Sequence, residues 1–399
     1  MASYPKSKIP TQPILSLSSF GLLDHPKKEN IPSILDSGQI KFVTSGRVAI
    51  ALALKEIGIG IGHKVLIPAY HCPAMVEPVL WSGATPLFYK INADTSVNFD
   101  DILSKLDRSV KLLMVTHYFG FPQNLQEIKK FCEENHIYLL EDCAHAFFGE
   151  FNGKPLGSYG DYAIASSMKF FPIYEGGCLI SNQNDIKQLE LHSAGINFEI
   201  KSALNTLEKA FEYERLMWLK KILAFPLWTK NKIWAMLKSN KSVNRSIGPG
   251  SSEGGFGFDA NWLSKRSSLF SQYLIRLISD QRIIERRREN YQLLLKAFGE
   301  LPECRPLFPN LPDKVIPHVF PLVVNHSSIV FPLLKKAGVP IIRFGEYLWD
   351  GVDESTCAVS VHLSHNLLQF PCHQELTPEE VEWMIKQIRE IILANSEKL

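Results

Sequence analysis

Apolar and polar positions along this chain follow two registers, and the switching between them predicts its architecture. From Val43 to Ser181, short apolar runs of strand length alternate with segments whose apolar residues recur at helical spacing. The pattern predicts helix over 48–57, strand over 64–68, helix near 73–82, strand over 85–89, helix near 99–106 and strand over 111–116. It continues with helix over 124–135 and strands over 137–141, 162–166 and 177–181. Such a βαβ rhythm implies an α/β fold with a mainly parallel sheet covered by helices on both faces. Ligands collect beyond the carboxyl ends of strands in sheets of this kind, and Asp142, the Pro68–Cys72 corner and His117 all fall at such ends.

The flanking segments differ in character. Residues 1–40 are rich in Pro, Ser and Lys without periodicity and read as an extended arm packed on the body or on a second subunit. The large domain is expected over 41–261, with a helical, basic insertion at about 185–255 that closes in a loose Gly/Ser segment, Ile247–Gly255. One long connecting helix is expected over 262–297, followed by a smaller C-terminal α/β domain over 298–399. The last helix of that domain opens on a capping box, Thr377-Pro-Glu-Glu380.

With 399 residues and 45% hydrophobic content, the chain can bury a large core. Lys plus Arg number 43 against 41 for Asp plus Glu, so no overall charge excess points to nucleic acid. The seven cysteines are scattered without a C-x-x-C pair, which fits reduced thiols in a cytoplasmic protein and argues against a zinc site. No stretch approaches the ~20 apolar residues of a spanning helix, and the start lacks the apolar segment of a secretory signal.

Local chemistry narrows the function. Lys169 stands three residues after Ser166, among Met168, Phe170 and Phe171, neighbours that would desolvate an amine and lower its pKa. The pair Glu141-Asp142 ends the apolar run 137–140. An amine able to form a Schiff base and a carboxylate able to keep a pyridine nitrogen protonated are what a pyridoxal phosphate enzyme requires. Thr44-Ser45-Gly46-Arg47 precedes a strongly helical stretch, so Ser45, Gly46 and the first helical amides form either an anion cup or an ordinary N-cap. Glu175-Gly-Gly177 offers a tight turn where backbone must approach something closely.

Taken in order, Ser45-Gly-Arg47, Gly83–Phe88, His117-Tyr-Phe-Gly120, Glu141–His145, Gly157–Asp161, Ser166-Ser-Met-Lys169, Glu175-Gly-Gly177 and Leu368–His373 resemble the DegT/StrS family of sugar aminotransferases. The resemblance is close over roughly 40–182 and looser over 256–395. It implies pyridoxal phosphate fold type I, with a seven-stranded sheet in the large domain, and pyridoxal 5'-phosphate as cofactor. It further implies Lys169 as the Schiff-base lysine, Asp142 as the pyridinium partner, and Ser166 with the Ser45–Arg47 turn as the phosphate cradle. His145 stands near the cofactor's 3-hydroxyl in this correspondence. A homodimer is implied too, one subunit lending Asn261 or a neighbour to the other's site. The residue that stacks on the ring is open: an ungapped reading puts Cys72 there, with Tyr70 or His71 as alternatives.

The expected activity is transfer of an amino group from an amino acid, by resemblance glutamate, to a keto-sugar acceptor, nucleotide-linked, in polysaccharide or glycolipid biosynthesis. Rival readings are another reaction on the same scaffold, such as a sugar dehydratase or an aminotransferase for a non-sugar ketone, and a non-catalytic regulatory homologue. Lys169 argues against the dehydratase branch, in which a His replaces the lysine. Between Arg215 and Lys241 lie seven Lys/Arg, no acid and three tryptophans. That composition suits either a peripheral contact with a membrane or packing on the protein body beneath solvated lysines. Arg286-Arg-Arg288 reads as a solvated helix face, and Arg343 as a candidate for binding an anion.

Overall fold

The structure, a computed structural model, describes residues 4–21, 31–223, 249 and 257–396. Seven strands form the central sheet: β1 (Gln39–Val43), β2 (Lys64–Pro68), β3 (Thr85–Tyr89), β4 (Val110–Thr116), β5 (Tyr138–Asp142), and, beyond a short β6–β7 hairpin (Glu150–Phe151, Lys154–Pro155), β8 (Tyr162–Ala165) and β9 (Gly177–Ser181). Their order is β1-β9-β8-β5-β4-β2-β3, and only β9 runs against its neighbours. Leu112, Leu113, Met114 and Val115 of β4 are fully buried, which is why this strand reads as a continuous apolar run. Helices α1 (Gly46–Ile57), α2 (Pro73–Trp81), α3 (Phe99–Lys105) and α4 (Leu125–Glu134) connect the parallel strands, and α5 (Ile196–Glu212) follows β9.

The single helix expected over 262–297 is two, α6 (Leu269–Leu277) and α7 (Asp280–Phe298). Ile278 takes an extended conformation, and the Ser279 side chain accepts from the Arg282 amide, so a new N-terminus starts there. The C-terminal part packs α8 (Ser327–Ala337), α9 (Glu354–Asn366) and α10 (Pro378–Ser396) with an antiparallel sheet, β10 (Cys304–Pro306), β11 (Val319–Val324) and β12 (Leu367–Pro371). The capping box forms: Glu380 N donates to Thr377 Oγ1 at 3.2 Å and Thr377 N to Glu380 Oε2 at 2.9 Å. The described part of the N-terminal arm packs on the body. Ile9, Ile14 and Leu15 are buried, and Lys8 N donates to the Gly338 carbonyl at 3.0 Å.

The basic triplet departs from its reading as a solvated face. On α7, Ile283, Ile284, Arg287, Asn290, Tyr291, Leu294 and Phe298 share the buried stripe, and Arg287 is 0% exposed. Its Nε donates to Gln374 Oε1 at 3.0 Å, one terminal nitrogen to the carbonyls of Pro317 and His318 at 3.1 and 2.9 Å, and the other to the Lys169 carbonyl at 2.9 Å. Its guanidinium also lies 4.3 Å from the Phe170 ring centroid. Burial lowers its pKa to about 10, which leaves it charged at neutral pH. One cation therefore ties the lysine loop of the large sheet to the approach to β11 and to the turn after β12. Arg287→Met, which strands these acceptors in the interior, should cost about 3 kcal/mol or more in urea unfolding. Arg287→Lys should recover only part, because an ammonium cannot reproduce the forked donors.

Candidate active site

The site is assembled at the carboxyl ends of the parallel strands. After β1 the chain turns at Thr44-Ser45 into α1, with Ser45 Oγ accepting from Val48 N at 3.4 Å as an N-cap. Gly177, opening β9, presses against that turn: a Cβ there would lie 2.5 Å from Ser45 C and 2.8 Å from Gly46 N. Gly46 lies close to Ser166, where an added Cβ would meet the Ser166 Cβ at 3.9 Å, an ordinary van der Waals contact. The start of α1 borders an open volume, an arrangement suited to binding phosphate.

That volume is a cavity of about 220 Å³ lined by Ser45, Gly46, Arg47, Cys72, Thr116, Asp142, His145, Ser166 and Lys169, together with Gln12, Met168, Phe344 and further apolar side chains. Asp142 is the last residue of β5 and 3% exposed; its Oδ1 accepts from Ala144 N at 2.9 Å. Burial raises its pKa, opposed by the Ala144 amide and the nearby Lys169. Lys169 ends a short 3-10 turn after β8, and burial lowers its pKa, against the pull of Asp142 and Cys72. A depressed amine and an elevated carboxyl in one cavity are groups poised for proton and imine chemistry. Arg47 lines the same space and donates to the Gly257 carbonyl at 2.6 Å.

His145 is 3% exposed and stacks between Phe119, 5.5 Å away, and His318, 4.8 Å away. Its Nδ1 accepts from the Phe119 amide at 3.4 Å, which places the ring hydrogen on Nε2, and burial holds its pKa well below the ordinary value. Phe119 reaches this position in a left-handed conformation, φ 59°. The next residue, Gly120, has φ 104°, and a Cβ there would strike the Ile316 carbonyl at 2.3 Å.

Tyr70 and His71 do not line the cavity. Tyr70 is fully buried beneath Phe344, ring centroids 5.0 Å apart, with Gly345 against its edge. His71 donates from Nδ1 to the Ala69 carbonyl at 3.0 Å and accepts at Nε2 from Trp349 N at 3.0 Å, while stacking on Phe88. Cys72 is the residue of this corner that faces the cavity. Asn261 is exposed, outside the cavity of its own chain, and bonded to Asp259.

Two buried carboxylates, Glu141 and Glu175, stand in the sequence motifs without a role assigned from them. Glu141 accepts from His117 Nε2 at 3.1 Å and from the amides of Gly157, Tyr159 and Gly160 at 3.0, 2.7 and 2.5 Å. It organises the loop before β8. His117 Nδ1 accepts from Gln123 N at 3.1 Å, so the His117–Glu141–Cys143 cluster has its histidine and carboxylate committed to protein hydrogen bonds. Glu175 accepts from Ser267 Oγ, Ser268 N and Ser268 Oγ at 3.1, 3.0 and 2.9 Å, joining the Gly176-Gly177 turn to the start of α6. Its place before two glycines was the available signal.

The donor set fits pyridoxal phosphate: the start of helix α1, a buried carboxylate and a desolvated amine surround one cavity. Residues 39–210 match the DegT/DnrJ/EryC1/StrS aminotransferase family. Over 159 residues the chain is 33% identical to GDP-perosamine synthase of Vibrio cholerae, covering 39% of this chain and 43% of that one. It is 30% identical over 146 residues to dTDP-4-dehydro-2,3,6-trideoxy-D-glucose 4-aminotransferase of Saccharopolyspora spinosa, covering 36% and 38%. The match thus spans less than half the length of either relative. Among solved structures, Spr1654 of Streptococcus pneumoniae in its PMP-form superposes with a TM-score of 0.67 at 17% identity, covering 97% of this chain and 99% of that one. The aminotransferase TlmJ of Streptoalloteichus hindustanus gives 0.61 at 20%, covering 90% and 87%. At these identities the superpositions establish the fold.

Burial raises the Glu175 pKa from 4.5 to about 7, and its Oε2 lacks a partner among the described residues. Because the folded chain holds this proton more tightly, the stabilisation is complete below about pH 4.5 and is lost as pH rises through 7. Glu175→Gln keeps the Oε1 acceptor and removes the titration. Urea unfolding should therefore show wild type losing stability relative to this variant between about pH 5 and pH 8, by at most ~3 kcal/mol.

Proposed function

We propose that this protein is a pyridoxal phosphate-dependent aminotransferase that moves an amino group from an amino acid, glutamate by family resemblance, to a nucleotide-linked keto-sugar. The observation that carries this reading is the convergence of Lys169, Asp142 and the open α1 N-terminus on one cavity. Both relatives described above are named for a nucleotide-linked sugar, which supports the acceptor class.

When bound, the cofactor supplies a carbonyl carbon that exchanges amines and a ring that takes up the electron pair left by a departing proton. The amides of Gly46 and Arg47, with the Ser166 hydroxyl, hold the phosphate. Asp142 would keep a proton on the ring nitrogen, and the resulting cation would offset the burial that raises the Asp142 pKa. His145 would hold the ring oxygen, and Cys72, the residue of its corner that lines the cavity, would border the ring. Lys169, whose amine burial favours in the neutral form, would take the proton from the donor's α-carbon and deliver it to the cofactor's carbonyl carbon, then run the transfer in reverse for the keto acceptor. The kinetics should be ping-pong.

A cytoplasmic homodimer serving polysaccharide or glycolipid synthesis completes the proposal. Exposed Leu269, Tyr273 and Leu277 recur on one face of α6, and Ile196 and Ile200 do so on the adjoining α5, supporting an interface there. A peripheral membrane contact is supported by Trp218 and Ile222, 52% and 66% exposed beside Lys220 and Lys221. The rest of the 215–241 segment, apart from Arg215 and its bonds to Glu380, continues into residues 224–241, which lie outside those described.

Two outcomes test these readings. Protein mixed with pyridoxal phosphate should show a visible absorbance band that bleaches on addition of glutamate, and Lys169→Ala should abolish turnover; retained turnover in that variant refutes the role of the lysine. For the membrane contact, sedimentation with anionic liposomes should pellet the wild type, and Trp218→Ala with Ile222→Ala should return it to the supernatant. Equal recovery of both proteins in the supernatant ends that idea.

A further inference from the structure

A cavity of about 590 Å³, against about 220 Å³ for the catalytic one, shares no lining residue with it. Three loops of the large domain, Asp94–Ser96, Phe121–Asn124 and Glu150–Asn152, wall it together with Phe308 and Pro312–Val315 from the segment between β10 and β11. The walls are held in place. Asn92 closes a turn around Thr95 with two backbone hydrogen bonds of 2.9 Å, and Thr95 takes φ 70° within it. Across the cavity, Arg288 donates to the Pro312 and Val315 carbonyls at 2.6 and 2.7 Å, and Gly149 bridges to Val315.

The lining is rich in hydrogen-bond acceptors. Asp94, Glu150 and Asp313 enter no ion pair among the described residues, and Lys314, which already has an interaction partner, is the one basic side chain beside them. Gln123 is 6% exposed, and its amide nitrogen donates to the Thr95 carbonyl at 3.0 Å, which fixes its Oε1 as the free end. Thr95 is 2% exposed, and neither its Oγ1 nor Gln123 Oε1 has a partner among the described residues. The Asn124 and Asn152 amide nitrogens are likewise bonded to the protein, at Glu127 Oε2 (2.8 Å) and Gln126 Oε1 (3.3 Å). Two deeply buried oxygens without a donor, below three carboxylates, call for a ligand that brings donors and positive charge.

The carboxylates stand on separate loops and do not gather into a metal-binding group; among the described residues only His117, Glu141 and Cys143 do. The volume is that of a small-molecule site. Phe121 and Phe308, stacked with centroids 3.9 Å apart, and Phe151 add apolar surface for a carbon skeleton. We propose that this cavity binds a small organic cation, an amine carrying several further N–H or O–H donors, of which an amino sugar and a polyamine are two sources. The inference is independent of the aminotransferase reading, whose residues lie in the other cavity.

Calorimetric titration of the full-length protein loaded with pyridoxamine phosphate, which has no carbonyl for an amine to attack, tests this with glucosamine, spermidine, glucose and magnesium ion as probes. Glucosamine or spermidine should bind saturably, about tenfold or more tightly than glucose and magnesium, and the tighter of the two identifies the source. Glu150→Gln combined with Asp313→Asn should weaken that binding about tenfold or more, and Thr95→Val should weaken it several-fold. Urea unfolding reports that each variant is folded. Saturable binding of neither amine, glucose bound as well as glucosamine, magnesium bound more tightly than both amines, or an affinity unchanged in the double variant overturns the proposal.

Discussion

The geometry of the site depends on one buried cation. Arg287 has no exposed surface, yet it satisfies carbonyls from the lysine loop and from the approach to β11, along with the Gln374 side chain that in turn donates to the Phe170 carbonyl at 2.8 Å. Burying an unpaired guanidinium would be costly, so its forked donors must meet these acceptors together. Meeting them fixes the backbone of Lys169 relative to His318, whose ring stacks on His145. The position of the amine in the cavity is therefore set from behind, by a residue far away in sequence.

The opposite wall is set by close backbone approach. Gly177 lets β9 run against the Ser45-Gly46 turn. A larger residue at position 177 would strike that turn and displace the helix N-terminus whose dipole favours an anion. Glu175, bonded to Ser267 and Ser268, holds the same turn from its other side. Both walls thus converge on the volume between the ends of β5 and β8, where Asp142 and Lys169 lie.

Much of this was legible in the sequence because it was local. The alternation of apolar runs marked the sheet, and the single reversed strand, β9, followed a glycine pair that announced close packing. Asp142, Lys169, Ser166 and the Ser45–Arg47 turn were visible as chemistry at strand ends, and all line the cavity. What was hidden depended on tertiary partners. Arg287 looked like part of a solvated basic run, although its place on the 283–287–291–294 stripe marked it as buried. Tyr70 and His71 carried suitable rings, but Phe344, Gly345 and Trp349 arrive from a distant loop and claim them for packing. The helix break at Ser279 is a capping signal overlooked amid strong helical periodicity on both sides.

The account stands on Lys169 being the amine that holds the cofactor. Borohydride reduction of the protein incubated with pyridoxal phosphate, followed by mass mapping of its peptides, measures this directly. The structure predicts one stoichiometric phosphopyridoxyl adduct, on Lys169. An adduct on a different lysine, or no adduct at all, would contradict the assignment of this cavity.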